Sequence, residues 1–95
     1  MAELVIVATT TDSEDKARAL ARGAIDARLG GCAQVLGPIT SVYRWEGRVT
    51  TDREWRVEIK TVGDRVGDLT EHLKAAHTYD VPEIVATPIT TGSAE

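Results

Sequence analysis

Apolar and polar residues follow periods that change several times along the chain. Residues 4–10 run Leu-Val-Ile-Val-Ala-Thr-Thr without a charge, which predicts a buried strand rich in β-branched side chains. Asp12 or Ser13 then offers a helix N-cap, and Glu14 and Asp15 favour the positive end of the helix dipole. Ala17, Leu20, Ala21, Ala24 and Ile25 recur at helical spacing, with Lys16, Arg18, Arg22 and Asp26 on the other face. The spacing predicts an amphipathic helix that reaches about Leu29 and is ended by Gly30-Gly31. Its inner face is mostly alanine and can approach a sheet closely.

A second strand begins near Cys32, breaks at Gly37-Pro38 and resumes from Ile39 to Trp45. The Gly-Pro pair predicts a bulge, since proline cannot donate to a ladder. Glu46-Gly47 is a turn signal, and from Arg48 to Thr61 the residues Trp55, Val57 and Ile59 alternate with Arg56, Glu58 and Lys60, the period of a third strand. Strands two and three thus form a long hairpin. Residues 64–76 place Val66, Leu69, Leu73 and Ala76 on one face of a second helix, with His72 toward water. The chain then turns through Tyr79 and Pro82 into a last strand, Ile84 to Ile89. The order βαββαβ predicts an α+β, ferredoxin-like fold, one domain over residues 1–95, with two helices on one face of an antiparallel sheet. The opposite face lacks cover, and self-association supplies it most economically.

Composition narrows the function classes. A chain of 95 residues buries only about two-thirds of its unfolded surface, which again favours an oligomer. No stretch reaches the roughly 20 apolar residues of a membrane span. The N-terminus lacks a basic segment and its apolar run breaks at Thr9-Thr10-Thr11-Asp12, unlike a signal peptide. The single cysteine, Cys32, cannot form an internal disulfide and fits a reducing, cytoplasmic compartment. Beside a Gly-Gly turn at a strand start, it is expected to be a small buried hydrophobe. A net charge of −4, with the basic residues scattered among acidic ones, argues against nucleic acid as partner.

Standard catalytic patterns are missing: there is no glycine-rich phosphate loop, Cys-x-x-Cys, His-x-x-x-His or nucleophile elbow. An enzyme using His77 as general base with Lys60 stabilising charge is the weakest reading, and no catalytic residue is expected. Chemistry concentrates in His77-Thr78-Tyr79-Asp80-Val81-Pro82-Glu83, which holds an imidazole, a phenol and two carboxylates in one turn. His77 and Glu83 are candidate ligands for a divalent ion, and Asp80 can join them. The same segment also reads as a helix stop and a strand start, with His77 as cap, Tyr79 packing and Pro82 setting the turn. Tyr43, Trp45 and Trp55 read as core or interface anchors. Lys60, at the end of the third strand, is solvated by default.

Three stretches carry a family resemblance: Thr40-Ser41-Val42-Tyr43-Arg44-Trp45-Glu46-Gly47, then Ile59-Lys60-Thr61, then His77 to Ile84. In order and interval they resemble the Ser-x-Tyr-x-Trp-x-Gly hairpin, the Lys-Thr pair and the His-Pro-Tyr-Glu-x-Pro-Glu-Ile segment of CutA, the divalent-cation-tolerance proteins, from the first strand to Ile89. Cys32 also falls where that family usually has its cysteine. The resemblance implies a compact homotrimer in which long hairpins pair between subunits. It implies a cleft near subunit boundaries lined or supported by Cys32, Tyr43, Trp45, Lys60, His77, Tyr79 and Glu83, with Asp80 beside them. It implies no obligatory cofactor, and weak binding of a divalent metal such as copper or zinc. The alternative implied is a trimeric signalling module, similar to the PII nitrogen-signalling proteins, that binds a small ligand or protein and affects metal tolerance indirectly. Four features differ from the pattern. Thr78 stands where proline is usual, and Gly37-Pro38 reverses the usual order. Ala8 and Ala76 occupy places where some members carry copper ligands. Members usually continue into a short C-terminal helix beyond the point where these 95 residues end.

Overall fold

A computed structural model describes residues 3–93. The elements are β1 (Leu4–Thr11), α1 (Glu14–Asp26), β2 (Cys32–Trp45), β3 (Arg48–Val62), a 3-10 turn (Gly63–Arg65), α2 (Val66–Ala76) and β4 (Ile84–Ile89). The strands form one antiparallel sheet in the order β2-β3-β1-β4, the ferredoxin-like arrangement expected from the periodicity. No helix among the described residues is long and apolar enough to cross a membrane.

Register decides which side chains meet the helices. Val7 lies opposite Ile59 and Ala86, so alternate positions from Val5 to Thr11 share a face with Trp55, Val57 and Ile59. That face closes over Ala17, Leu20, Ala21 and Ala24 of α1 and Leu69 and Leu73 of α2, which together form the core. Leu69 and Leu73 are fully buried, so each resists truncation by about 2–5 kcal/mol. The opposite face carries Leu4, Ile6, Leu36 and Val85 around an Arg56–Glu58 ion pair of 2.9 Å. Leu4 remains 52% exposed there, and no element among the described residues covers this face.

Helix α1 starts as its sequence requires, with the Ser13 side chain accepting the Lys16 backbone N–H at 3.1 Å. It stops earlier than Leu29. Ala27 is the C-cap, and Arg28, at φ 60°, takes the left-handed position that glycine usually fills. The Leu29 N–H then reaches Ala24 O (3.0 Å) and the Arg28 N–H reaches Ile25 O (2.9 Å), closing the helix end twice over. Gly30 serves packing instead, since a Cβ there would lie 2.4 Å from Ile59 Cγ2. On α2, Ala76 is exposed, unlike its expected place on the inner face. His72 is half-buried against α1 at Gly23 instead of facing water, because the two helices pack side by side.

The Gly37-Pro38 peptide is cis, and the β2–β3 register shifts between Leu36 and Ile39, the bulge expected from the sequence. Gly37 (φ 152°) leaves room for the Trp55 indole, which a Cβ would approach to 2.6 Å. Strand β1 reaches only as far as Trp55, so residues 39–54 pair solely with each other and project as a two-stranded ribbon. Val42, Trp45 and Val49 on this ribbon are 61–66% exposed. A two-stranded ribbon is marginal in water by itself.

Gly30 yields the first test. Gly30→Ala should cost about 1–3 kcal/mol by denaturant unfolding, because Ile59 and the Lys60 carbonyl leave no space. Gly31→Ala, with nothing within 4 Å, should stay within about 0.5 kcal/mol of the parent.

Candidate functional site

The segment after α2 is fixed by its histidine. The His77 backbone N–H caps α2 by donating to Leu73 O at 2.9 Å, and its ring turns inward to 9% exposure. Nδ1 accepts the Tyr79 backbone N–H at 3.1 Å, so the ring proton resides on Nε2, which donates to Thr10 O at 2.9 Å. Both nitrogens of this imidazole are therefore engaged, one on the segment itself and one on the end of β1. The Thr9 hydroxyl donates to Glu83 O at 2.7 Å and fixes the start of β4 in the same way. The Glu83 and Asp80 side chains are exposed.

Tyr79 carries the segment across to the base of the ribbon. Its ring lies 4.8 Å from that of His77, tilted by 45°, and its hydroxyl donates to Glu54 Oε2 at 2.7 Å. Glu54 is only 8% exposed, the one buried carboxylate among the described residues. Burial pushes the Tyr79 phenol above its ordinary range, helped by the hydrogen bond to Glu54 and by the charges of Glu54 and Asp12. Farther along the ribbon, the Tyr43 hydroxyl donates to the Asp52 carboxylate, and that bond is the main cause raising the Tyr43 phenol. The result is a patch of carboxylates and neutral phenols at one end of the sheet.

The expected cleft residues fall into three places in a single chain. His77, Tyr79 and Tyr43 gather around Glu54 and Asp52, with Asp80 and Glu83 on the same segment as His77. Trp45 stands at the ribbon tip, 61% exposed. Cys32 and Lys60 pair across β2 and β3, level with Ile6, six residues and about 20 Å along β3 from Glu54. Cys32 is exposed, not buried, because it shares the uncovered face with Lys60. No group of three or more His, Cys, Asp or Glu side chains converges on a metal position among the described residues. His77 becomes a ligand only by releasing Thr10 O or the Tyr79 N–H.

Sequence reasoning missed Asp52 and Glu54. Asp52 was within reach of it: once the turn is set at Glu46-Gly47, Tyr43 lies opposite Thr50 and diagonal to Asp52. Glu54 had no local signal, since its partner is 25 positions away. Tyr79→Phe would strand the buried Glu54 carboxylate and should cost about 1–3 kcal/mol at neutral pH. An unfolded tyrosine ionises near about pH 10, and the folded Tyr79 only at higher pH. Its contribution is thus complete below about pH 10 and is lost above it, so the gap between parent and Tyr79→Phe in unfolding free energy should narrow as pH climbs past that value.

The family model described as CutA1 divalent ion tolerance protein matches residues 5–95. The divalent-cation tolerance protein CutA of Thermus thermophilus is 41% identical over 95 residues, covering all of this chain and 90% of its own. The chloroplastic CutA protein of Arabidopsis thaliana is 40% identical over 89 residues, 94% of this chain and 49% of its own, so the chain spans about half of that plant relative. Among solved structures, CutA1 of Oryza sativa superposes with a TM-score of 0.93 at 40% identity, covering 97% of this chain and 84% of its own. The Thermus thermophilus structure gives 0.91 at 40% identity, covering 95% and 87%. A match of this extent in both sequence and backbone is decisive: the chain belongs to the CutA family of divalent-cation tolerance proteins.

Proposed function

We propose that the protein contributes to divalent-cation tolerance in the cytoplasm as a homotrimer that binds divalent ions, copper and zinc among them, weakly beside the 77–83 segment. The observation that carries this reading is the buried Glu54 carboxylate, joined by Tyr79 to that segment and accompanied by Asp52 on the ribbon. Carboxylates grouped in this way attract cations, and Glu83 is exposed nearby in the chain. His77 enters the ligand set by exchanging one of its two hydrogen bonds for the ion, which lowers net affinity. With fewer than three converging ligands among the described residues of each chain, an ion is held loosely or completes its shell from a neighbouring copy. The uncovered sheet face and the unsupported ribbon favour assembly. The exposed, unpaired Cys32 suits a reducing compartment.

The same scarcity of preformed ligands favours a second reading, a signalling trimer whose ligand is a small molecule or protein and whose effect on metal tolerance is indirect. Calorimetric titration of copper, zinc and cobalt into the parent, His77→Ala and Glu54→Gln separates the two. Weak binding that is reduced in both variants supports the cation site. Equal binding in all three, or no binding at all, rejects it in favour of the second reading.

Assembly is tested by sedimentation, where a trimer is expected and a stable monomer at micromolar concentration rejects it. Trp45→Ala should weaken assembly more than cation affinity. A Trp45→Ala protein that stays trimeric yet loses cation binding would put Trp45 in the site.

A further inference from the structure

The segment after α2 is held differently from the elements it joins. The His77 N–H closes the helix on Leu73 O, and β4 rejoins the sheet where Ile84 pairs with Thr9. Between these points no backbone–backbone hydrogen bond reaches residues 78–82. Both ends of the segment are anchored on consecutive residues of β1. His77 Nε2 donates to Thr10 O at 2.9 Å, and the Thr9 hydroxyl donates to Glu83 O at 2.7 Å. Thr78, Asp80 and Val81 lie exposed between the anchors, Val81 to 87%. A stretch with adjoining fixed ends, exposed side chains and no backbone ladder of its own can open while the strand and helix beside it stay folded.

Tyr79 is what holds the middle of the segment down. Its backbone N–H donates to His77 Nδ1 at 3.1 Å and its hydroxyl donates to Glu54 Oε2 at 2.7 Å. Those two acceptors are the groups that a cation beside this segment would use. One displacement of Tyr79 therefore frees both together. The His77 ring does not leave with it, because the bond from Nε2 to Thr10 O keeps Nδ1 aimed at the space that Tyr79 vacates. Glu54 likewise stays in the ladder, opposite Ile39. Opening alone strands a carboxylate that is only 8% exposed, and a cation replaces the lost donor.

We infer that residues 78–82 form a strap latched by Tyr79, which in its closed position withholds Glu54 and His77 Nδ1 from divalent cations and so regulates the affinity of the site. The inference rests on the cation reading of this segment and adds a sign to it. Because only the open state binds, the apparent dissociation constant is the intrinsic one divided by the open fraction. Loosening the strap then tightens binding, whereas removing a ligand weakens it.

Zinc is the probe, titrated by calorimetry into the assembled protein, with backbone hydrogen exchange measured in parallel on the metal-free protein. Tyr79→Phe deletes the latch hydroxyl and should bind zinc about fivefold or more tightly than the parent. Val81→Gly leaves every named bond in place and favours the open strap only through chain entropy, so it remains informative if Tyr79→Phe does not fold. It should tighten zinc by about two- to fivefold, and speed exchange of the Tyr79 amide by a similar factor without changing that of Val7. Adding Glu54→Gln to Val81→Gly should remove the gain in zinc affinity. Zinc binding that is unchanged or weaker in both variants overturns the strap while leaving the cation site standing. So does a Tyr79 amide that exchanges equally in the parent and Val81→Gly, the result expected if a neighbouring copy clamps the segment in the assembly. If the parent and both variants all fail to bind zinc, the cation reading falls and the strap with it.

Discussion

A buried carboxylate needs a donor, and much of the geometry at one end of this molecule follows from how Glu54 obtains one. Its position on β3 lies just beyond the last pairing with β1, where the sheet narrows to a ribbon and backbone donors are already spent within the ladder. Tyr79 supplies the hydroxyl from the segment after α2. For the phenol to arrive there, His77 has to hold the segment against β1, and it does so with a ring that accepts from one side and donates to the other. Cap, turn, ribbon base and central strand are thus connected through a chain of hydrogen bonds in which each member orients the next. His77 and Tyr79 thus have a structural role before any ligand is considered.

Most of the fold was legible because its signals are local. Period-two alternation around Val57 and Ile59, the helical spacing of Ala17, Leu20 and Ala24, the Ser13 cap and the Gly37-Pro38 bulge each depend on neighbours within a few residues. The misreadings have local causes too. The helix end was assigned to Gly30-Gly31 because glycine usually takes the left-handed position, whereas Arg28 takes it here and Gly30 answers a contact with Ile59. Ala76 satisfied the helical period yet lies in the last residue of α2, past the core. The candidate site was only half legible. The 77–83 segment stood out by composition, but its partner Glu54 looked like any solvent-facing residue of an alternating strand. Cys32 and Lys60 were grouped with that segment by family pattern as lining a cleft near subunit boundaries, and within one chain the register sets them at the other end of the sheet.

The formal net charge of −4 is an average over two unlike ends. Asp12, Asp52 and Glu54 gather where β1 runs out, and Arg28, Lys60 and Arg65 gather where it begins. The scattering of basic residues along the sequence hid this, because the three cations come from positions up to 37 residues apart. Antiparallel pairing brings them together by returning distant segments to the same level of the sheet. The two ends of the sheet therefore differ in the sign of the charge they carry.

The strand order also bears on how the chain acquires its structure during synthesis. The earliest strand of the sheet in chain order, β1, is an interior strand flanked by β3 and β4, so both its edges wait for segments made later. The β2–β3 hairpin forms from neighbours and can zip early, whereas β4 pairs with β1 only once these later residues have been translated. Until then a Val- and Ile-rich strand presents unsatisfied backbone to solvent, an arrangement that invites mispairing. Pairing of β1 with β3 seals one of its edges before β4 has been made, and so shortens the time for which that edge is open to mispairing.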